Sequence, residues 1–313
     1  MPTAAVSSPW AFHLHAASWV AVAVLAAAYR VATRASRPTT RQRIATVLGL
    51  VLLLVALTWP LADLATRTAL TALVIQRLLL LLAVPPLLLV GLPAAAVARL
   101  TRPAAIDWVV RRCARPPIAV AIVTVVAVAT LTTGAVEAEG TSGWARLGLD
   151  LALFGAGVVL WAPVLTELPA TDRPSALGRA GYLIVQSIVP SFLSIIWIFA
   201  RHPLYPHFAH GPALLGVGPV LDQQIAGFAA KLTTIAVLWT FAFVSLSRAQ
   251  HTVSTGGDPD PLLWSDVERH LERAERRDRR SVWMPPRDRE APPTGERSGA
   301  DDRPRPRPPE DSA

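Results

Sequence analysis

The chain of 313 residues is poor in sulfur. It contains one cysteine, Cys113, and two methionines, Met1 and Met284. A single cysteine excludes a disulfide-stabilised scaffold, a Cys-x-x-Cys redox site and a copper carrier built on a cysteine pair. Two isolated methionines likewise exclude a methionine-rich copper site.

Charged residues are also scarce, and they are unevenly placed. They make up 17% of the chain, whereas a soluble globular protein has about 25%. Residues 1–247 hold 17 basic and 8 acidic residues, and residues 248–313 hold 13 and 14. The first part is too apolar for a water-soluble domain, and the second is too charged and too rich in proline to bury a core.

The net charge of +8 and the isoelectric point near 11.0 are values often found in nucleic-acid-binding proteins. Here the excess positive charge lies between apolar segments and not on a soluble face, so we expect no nucleic-acid partner. All basic residues except Lys231 are arginine, which we interpret as a compositional bias of the genome.

Residues 1–247 contain seven apolar stretches long enough to cross a bilayer as α-helices. Their approximate limits are Trp10–Ala28, Ile44–Ala62, Leu70–Val97, Pro117–Gly134, Leu147–Leu165, Gly181–Ala200 and Gln224–Leu246. Pro85 and Pro86 in the third stretch should kink or break its helix. The predicted fold is all-α, a polytopic membrane protein with about seven transmembrane helices in the lipid bilayer.

The arginines of the connecting loops predict the orientation. Five follow the first stretch, five follow the third and two follow the fifth, whereas each alternate loop has one. Because cytoplasmic loops are enriched in Lys and Arg, we expect the N-terminus outside and the C-terminus in the cytoplasm. The predicted location is the plasma membrane of a bacterial cell. Below, "outer" denotes the side predicted to face away from the cytoplasm.

The C-terminal part is predicted to form two regions. Residues 248–284 include Pro261–Arg280, where apolar residues recur at helical spacing, so we expect a cytoplasmic amphipathic helix. Residues 285–313 are rich in Pro, Arg and Asp and have the composition of a disordered tail. The whole part is either a solvated appendage or a segment that docks a partner or the lipid surface.

Four ionisable side chains fall within the predicted spans, namely Arg77, Asp150, Asp222 and Lys231. Unpaired charges at such depth are costly. We therefore expect internal ion pairs, with Arg77 facing Asp150 and with Lys231 reaching Asp222 or a backbone carbonyl. These pairs either only hold the bundle together, or serve as a proton or ion relay, or face the cofactor of a partner.

Five histidines fall on the predicted outer side: His13, His15, His202, His207 and His210. Imidazole is the commonest metal ligand, so these five are candidate metal ligands. Residues two apart diverge on a helix, so His13 and His15 could chelate one ion only in an extended segment. His207 and His210 could share a helical face. Hydrogen bonding at the membrane surface is the alternative role.

Three stretches carry a recognisable pattern: Ile75–Pro93, Leu149–Leu165 and Pro203–Ala229. The residues that mark it are Gln76, Pro85, Pro86, Trp161, Pro163, Tyr205, Asp222, Gln223, Gln224 and Gly227. Together with the number and orientation of the predicted helices, these stretches resemble the bacterial CtaG-type cytochrome c oxidase assembly proteins. The resemblance covers about residues 10–247. It implies a role in maturation of the oxidase copper centre on the outer side, with copper as cofactor and oxidase subunits as partners.

The chain departs from that family's pattern at the membrane histidines. Leu73 and Arg77 stand at the two histidine positions of a His-Met-x-x-His run, and Asp150 matches a further histidine. The resemblance therefore implies a divergent member of the family. We expect an Arg77–Asp150 salt bridge to replace two imidazoles that would share a metal.

The sequence contains no nucleophile elbow, phosphate loop, metalloprotease helix or dinucleotide fingerprint, so we expect no enzymatic activity. It predicts a membrane assembly factor for a haem-copper cytochrome c oxidase, acting in copper-centre maturation or as a scaffold. If copper is bound, the best remaining ligands are His202, His207 and His210. One alternative is a small transporter or ion carrier that uses Arg77 and Lys231. The other is a membrane anchor that docks a soluble partner through its cytoplasmic tail.

Overall fold

A computed structural model describes residues 15–166, 174–209 and 216–254 of the chain. All regular structure in these ranges is helical, and they contain no strand. The predicted all-α class is confirmed. The predicted cytoplasmic helix, the charged tail, His13 and His210 lie outside the described residues.

The described ranges contain thirteen α-helices and one π-helical turn. In chain order the α-helices are α1 (Ala16–Thr33), α2 (Thr40–Leu57), α3 (Leu61–Arg67), α4 (Leu70–Leu78), α5 (Val84–Gly91), α6 (Ala94–Leu100), α7 (Ala104–Cys113), α8 (Pro116–Ala129), α9 (Thr133–Thr141), α10 (Gly143–Leu165), α11 (Ala176–Phe199), α12 (Pro206–Ala209) and α13 (Pro219–Ser254). The π-helical turn, Leu79–Ala83, joins α4 to α5.

Six segments of the described chain are long and apolar enough to cross a membrane. They are Ala16–Thr33, Thr40–Arg67, Leu70–Gly91, Gly143–Leu165, Ala176–Phe199 and Pro219–His251. Each overlaps one of the predicted spans, so the chain is a multi-pass membrane protein. The shortest has 18 residues, which at 1.5 Å per residue extend about 27 Å and nearly match a hydrocarbon core of about 30 Å.

The fourth predicted span differs from the prediction. It is represented by α8, whose 14 residues extend only about 21 Å. Prolines at its first turn separate it from α7, and the two helices meet at 86°. After α8 the chain turns, and the Thr132 side chain caps α9. A seventh span exists only if the bent pair α7–α8 is counted as one broken span.

The double proline distorts the third span, as predicted. The π-helical turn lies directly before Pro85 and Pro86, and α5 then ends at Gly91, before the predicted limit of Val97. Pro85 has no N–H, so the Leu81 carbonyl, four residues earlier, has no donor in its own helix. The break therefore leaves a carbonyl inside the bundle that requires a partner from another helix.

Helix α10 supplies that partner. The indole N–H of Trp161 donates to the Leu81 carbonyl at 3.2 Å, and its ring is completely buried. One turn earlier, a Cβ at Gly157 would lie 2.5 Å from Pro85 and 2.8 Å from the Leu81 carbonyl oxygen. The glycine thus lets α10 approach the break closely, and the tryptophan satisfies the exposed carbonyl. Pro163 lies in the last turn of the same helix.

Helices α11 and α13 also meet at close range. A Cβ at Gly227 would lie 2.9 Å from the Ser194 carbonyl oxygen and 3.1 Å from the Trp197 Cβ. The family-like glycine therefore has a packing role, because a larger residue would push the two helices apart. This contact anchors the start of α13 at the outer end of the bundle.

Candidate functional site

Charged and polar side chains are buried together where the outer ends of several helices meet. We call this group the outer polar cluster. It consists of His15, Asp63, Gln76, Arg77, Glu139, Arg146, Asp150 and His207, of which Asp63, Gln76, Arg77, Glu139 and Asp150 are buried. Charged side chains are almost never fully buried unless they are paired, and in a membrane protein such residues are functional candidates.

The centre of the cluster is an ion pair between Arg77 of α4 and Glu139 of α9. Arg77 Nη2 donates to Glu139 Oε1 at 2.8 Å, and the two side chains are 6% and 3% exposed. Burial raises the pKa of Glu139, and the neighbouring Arg77 guanidinium opposes that rise. The close contact and the near-complete burial make this pair a strong electrostatic interaction.

The predicted Arg77–Asp150 salt bridge is therefore wrong. The prediction placed residues 135–146 in a loop outside the membrane. Instead, α9 folds back after its Thr132 cap and brings Glu139, about two turns along, to the guanidinium. Arg77 thus receives its counter-charge from a short helix that an apolar-span analysis does not detect.

Asp150 lies beside Gln76. The Gln76 Nε2 is 3.5 Å from both carboxylate oxygens of Asp150 and donates to the Ala56 carbonyl at 2.9 Å. That carbonyl ends α2, and its helical partner would be the N–H that Pro60 lacks. The family-like Gln76 therefore supplies the donor that this carbonyl of α2 lacks, and it places its amide against α10.

Asp222 caps helix α4. Its carboxylate accepts the backbone N–H groups of Leu70 at 2.7 Å and Thr71 at 3.3 Å, and the Thr71 hydroxyl donates to the Asp222 carbonyl at 2.9 Å. An anionic side chain is favourable at a helix N-terminus, where N–H groups lack helical partners. The negative charge of Asp222 is thus satisfied by backbone donors of the third span.

The predicted contact between Lys231 and Asp222 is also wrong. The two residues are nine positions apart on α13, which separates them by about 13.5 Å along the helix axis. Lys231 is half-buried, and within the described ranges it makes neither an ion pair nor a hydrogen bond to a carbonyl. Asp222 is turned to α4 instead, because the uncapped start of that helix lies beside it.

His15 links the start of α1 to α3 and α10. Its Nδ1 lies 2.7 Å from Arg146 Nη2, and its Nε2 lies 3.1 Å from Asp63 Oδ1. A guanidinium only donates, so Nδ1 accepts and Nε2 carries the proton given to Asp63. The two partners thereby select one neutral tautomer of the imidazole and engage both of its nitrogens.

His207 contacts the opposite side of the cluster. Its Nε2 donates to the Thr66 carbonyl at 2.7 Å, and its ring lies at right angles to Phe208. A Cβ at Gly140 would lie 2.6 Å from the His207 Cε1, so the ring packs directly on the backbone of α9. The short helix α12, which carries His207, is therefore fitted to the helix that carries Glu139.

The described donors do not fit a copper ion. Both nitrogens of His15 are engaged, one nitrogen of His207 is engaged, and the cluster contains two guanidinium groups. His202 is exposed. In the three described ranges, no group of three His, Cys, Asp or Glu side chains is arranged to hold a metal.

A polar cavity of about 260 Å³ adjoins the cluster. His15, Glu139 and Arg146 line one part of it, and the backbone turn at residues 140–143 lines another. Since both acidic and basic groups reach this cavity, it can receive a polar segment that offers donors and acceptors together.

The third family-like stretch fixes the loop before α13. The Tyr205 hydroxyl donates to the Leu131 carbonyl at 2.8 Å, and the Leu204 N–H donates to the Gln223 side-chain oxygen at 2.8 Å. Burial raises the pKa of Tyr205, which keeps its hydroxyl a donor. Gln224, the next residue, is half-buried. These contacts hold the loop against the turn between α8 and α9.

Three charged residues of the cluster were not among the predicted site residues: Asp63, Glu139 and Arg146. A signal for Glu139 was present in the sequence. Glu137 and Glu139 are the only acidic residues between Asp107 and Asp150, and they follow an apolar stretch closely. No comparable local pattern distinguishes Asp63 or Arg146, because their partner His15 is distant along the chain.

Comparison with known protein families gave one result. The model of a family described as cytochrome c oxidase caa3 assembly factor (Caa3_CtaG) matches residues 22–251. The matched range includes every residue of the outer polar cluster except His15. Comparisons with curated proteins and with solved structures gave no significant match.

Proposed function

The chain belongs to the family of cytochrome c oxidase caa3 assembly factors, and on this basis we propose that it is a scaffold for oxidase maturation. In this role it holds oxidase subunits at the outer face of the bacterial plasma membrane while their cofactor centre is completed. It performs no catalytic step itself.

The Arg77–Glu139 ion pair carries this proposal. The resemblance implied that Arg77 stands at a position where relatives have a metal-binding histidine. In this chain the position holds a guanidinium that is paired at 2.8 Å with a buried carboxylate. A guanidinium has no lone pair to give to a metal, and here it engages the neighbouring Glu139 carboxylate as well. The site is therefore better suited to rigid support than to carrying copper.

The polar cavity beside the cluster is the proposed contact for an oxidase subunit. His15, Glu139 and Arg146 present both signs of charge there. A partner segment with complementary groups would be held in one orientation by these charges, which favour specificity more than affinity. The rigid ion-paired helices behind the cavity would keep its geometry constant.

The test is oxidase activity per haem a in membranes of a strain that lacks this chain. Activity is compared with the parent strain at limiting and at excess copper. We expect a loss of activity that excess copper does not restore, because a scaffold is needed at every copper concentration. A loss that copper restores would refute the scaffold role in favour of copper delivery. Unchanged activity would refute the oxidase role and leave the transporter and anchor alternatives.

Complementation with single variants then tests the site. Glu139→Gln removes the carboxylate charge from the cluster, whereas Glu137→Gln removes an exposed charge from the same helix. We expect the Glu139 variant to restore less oxidase activity than the Glu137 variant at equal amounts of protein in the membrane. Equal restoration by the two variants would show that the function does not depend on the charge of Glu139 in the outer polar cluster.

A further inference from the structure

A second cavity, of about 70 Å³, lies among helices α4, α8, α10, α11 and α13. Its wall is almost wholly apolar and includes Leu81, Leu153, Trp197 and Leu238. It reaches the outer polar cluster at Arg77, which lines it from the side of α4. A space of this size can hold a small polar group and the first carbon atoms of an apolar chain.

Three polar side chains in this wall have buried atoms without a hydrogen-bond partner. They are Arg77 with Nε and Nη1, Thr124 with its hydroxyl, and Gln186 with its side-chain oxygen. Gln186 is 3% exposed, and Arg77 is more than nine-tenths buried. Buried polar groups in folded proteins are nearly always hydrogen-bonded. Three such groups around one apolar cavity leave hydrogen-bonding capacity that a bound molecule could satisfy.

We propose that this cavity binds a neutral amphiphile with one apolar chain and a head that carries both an accepting oxygen and a hydroxyl. Arg77 Nε and Nη1 require an acceptor for their N–H groups, and the Gln186 oxygen requires a donor. The Thr124 hydroxyl can serve either part of the head. The first carbon atoms of the ligand's chain would lie among the leucines.

The surrounding charges favour a neutral head over an anionic one. Arg77 is already paired with Glu139 at 2.8 Å, and the Asp150 carboxylate lies beside the adjacent Gln76. A ligand carboxylate would add another acidic group at a guanidinium that already has its counter-ion, and like charges repel at low dielectric. An uncharged carbonyl or ether oxygen accepts the same N–H groups without that cost.

Acylglycerols and long-chain hydroquinones both have an apolar chain and a neutral head with an accepting oxygen and a hydroxyl. Three probes distinguish these two classes from each other and from an anionic amphiphile. The purified full-length chain is titrated in detergent with 1-monooleoylglycerol, with a decyl-substituted hydroquinone kept reduced, and with oleate. Bound probe is measured by native mass spectrometry, and the increase in unfolding temperature is measured in parallel, because a ligand that binds only the folded state stabilises it. We expect one neutral probe to bind at a stoichiometry of one and oleate to bind at least several-fold more weakly.

Two variants locate the binding. Ala127→Phe fills the cavity from α8, and Ala129→Phe places the same ring at an exposed position of that helix outside the cavity. We expect the first to abolish the probe-bound species and the second to retain it. Gln186→Leu removes one hydrogen bond to the head but keeps a side chain of similar size. It should weaken binding by about 3–10-fold.

The outcomes decide the proposal without reference to oxidase activity. Loss of binding in Ala127→Phe, with binding kept in Ala129→Phe, supports the site, and the preferred neutral probe assigns the class of head. Binding that is equal in wild type and Ala127→Phe would overturn the proposal, and so would a preference for oleate. If Ala127→Phe fails to fold, unchanged affinity in Gln186→Leu overturns the proposal on its own.

Discussion

The ion pair between Arg77 and Glu139 predicts a large and specific energetic coupling. We consider Arg77→Ala, Glu139→Ala and the double variant. At 2.8 Å and an effective dielectric constant of about 20, the attraction between the two charges is about 6 kcal/mol before desolvation is subtracted. Removing one partner of a buried pair leaves the other charge unpaired and costs about 3–5 kcal/mol.

The double variant should cost less than the sum of the single variants, because it leaves no buried charge alone. We expect a coupling free energy of about 2–3 kcal/mol, at the upper end of values for residues in direct contact. The assay is reversible unfolding in mixed micelles, where a denaturing detergent is titrated into a mild one and helix content is followed by circular dichroism.

One control variant and one control cycle make the result specific. Glu137 is exposed on the same helix as Glu139, so Glu137→Ala should change the unfolding free energy by less than about 0.5 kcal/mol. Arg77→Ala combined with Asp150→Ala should show a clearly smaller coupling, because those two side chains form no direct contact. A coupling larger with Asp150 than with Glu139, or additive losses for the Arg77–Glu139 cycle, would refute the described pairing.

Three further predictions concern packing, capping and pH, and all are measured as changes in unfolding free energy in the same micelles. Gly157→Ala should destabilise the fold by about 1–3 kcal/mol, because its Cβ would overlap the proline break. Gly155→Ala, which has open space around it, should be neutral or slightly stabilising. Equal effects of the two variants would contradict the close approach of α10. Asp222→Ala should lower the unfolding free energy by about 1 kcal/mol through loss of the cap on α4. Asp222→Asn should retain most of the stability. An equal loss in both variants would show that the cap is not formed. Because burial raises the pKa of Glu139, the folded state holds a proton on this carboxyl more tightly than the unfolded state does. The stability that comes from this difference in proton binding is complete below the ordinary pKa of a glutamate and is lost as pH rises through the raised value. Glu139→Gln should therefore remove that part of the pH dependence, and a wild-type curve parallel to that of the variant would contradict it.

The spans of this protein could be predicted because a bilayer imposes a length and an apolar composition on each of them. The distortion at Pro85 and Pro86 followed from a missing N–H, which depends on the local chain alone. The length and the bend of the fourth span could not be predicted. Its apolar residues satisfy the composition, but the prolines at the start of α8 and the Thr132 cap after it shorten the helix to 14 residues.

The pairing of charges depended on tertiary structure and was predicted incorrectly. Arg77 and Asp150 are both in the cluster, so the sequence identified the region. Which carboxylate meets the guanidinium is decided by the direction in which α9 folds back, and no local pattern encodes that direction. Asp222 illustrates the same limit, since its partners are N–H groups about 150 residues away in sequence.

The large sequence separation between Asp222 and the N–H groups it accepts has a consequence for the order in which the protein is made. The N–H groups of Leu70 and Thr71 enter the membrane early in synthesis, yet the carboxylate that accepts them belongs to α13, the last of the six spanning segments in the described part of the chain. Until the translocation machinery releases α13, the outer end of the third span stays open to water or to another chain. The cap on α4 therefore forms only after α13 has been made, and a ribosome that stops before Asp222 leaves the start of α4 uncapped.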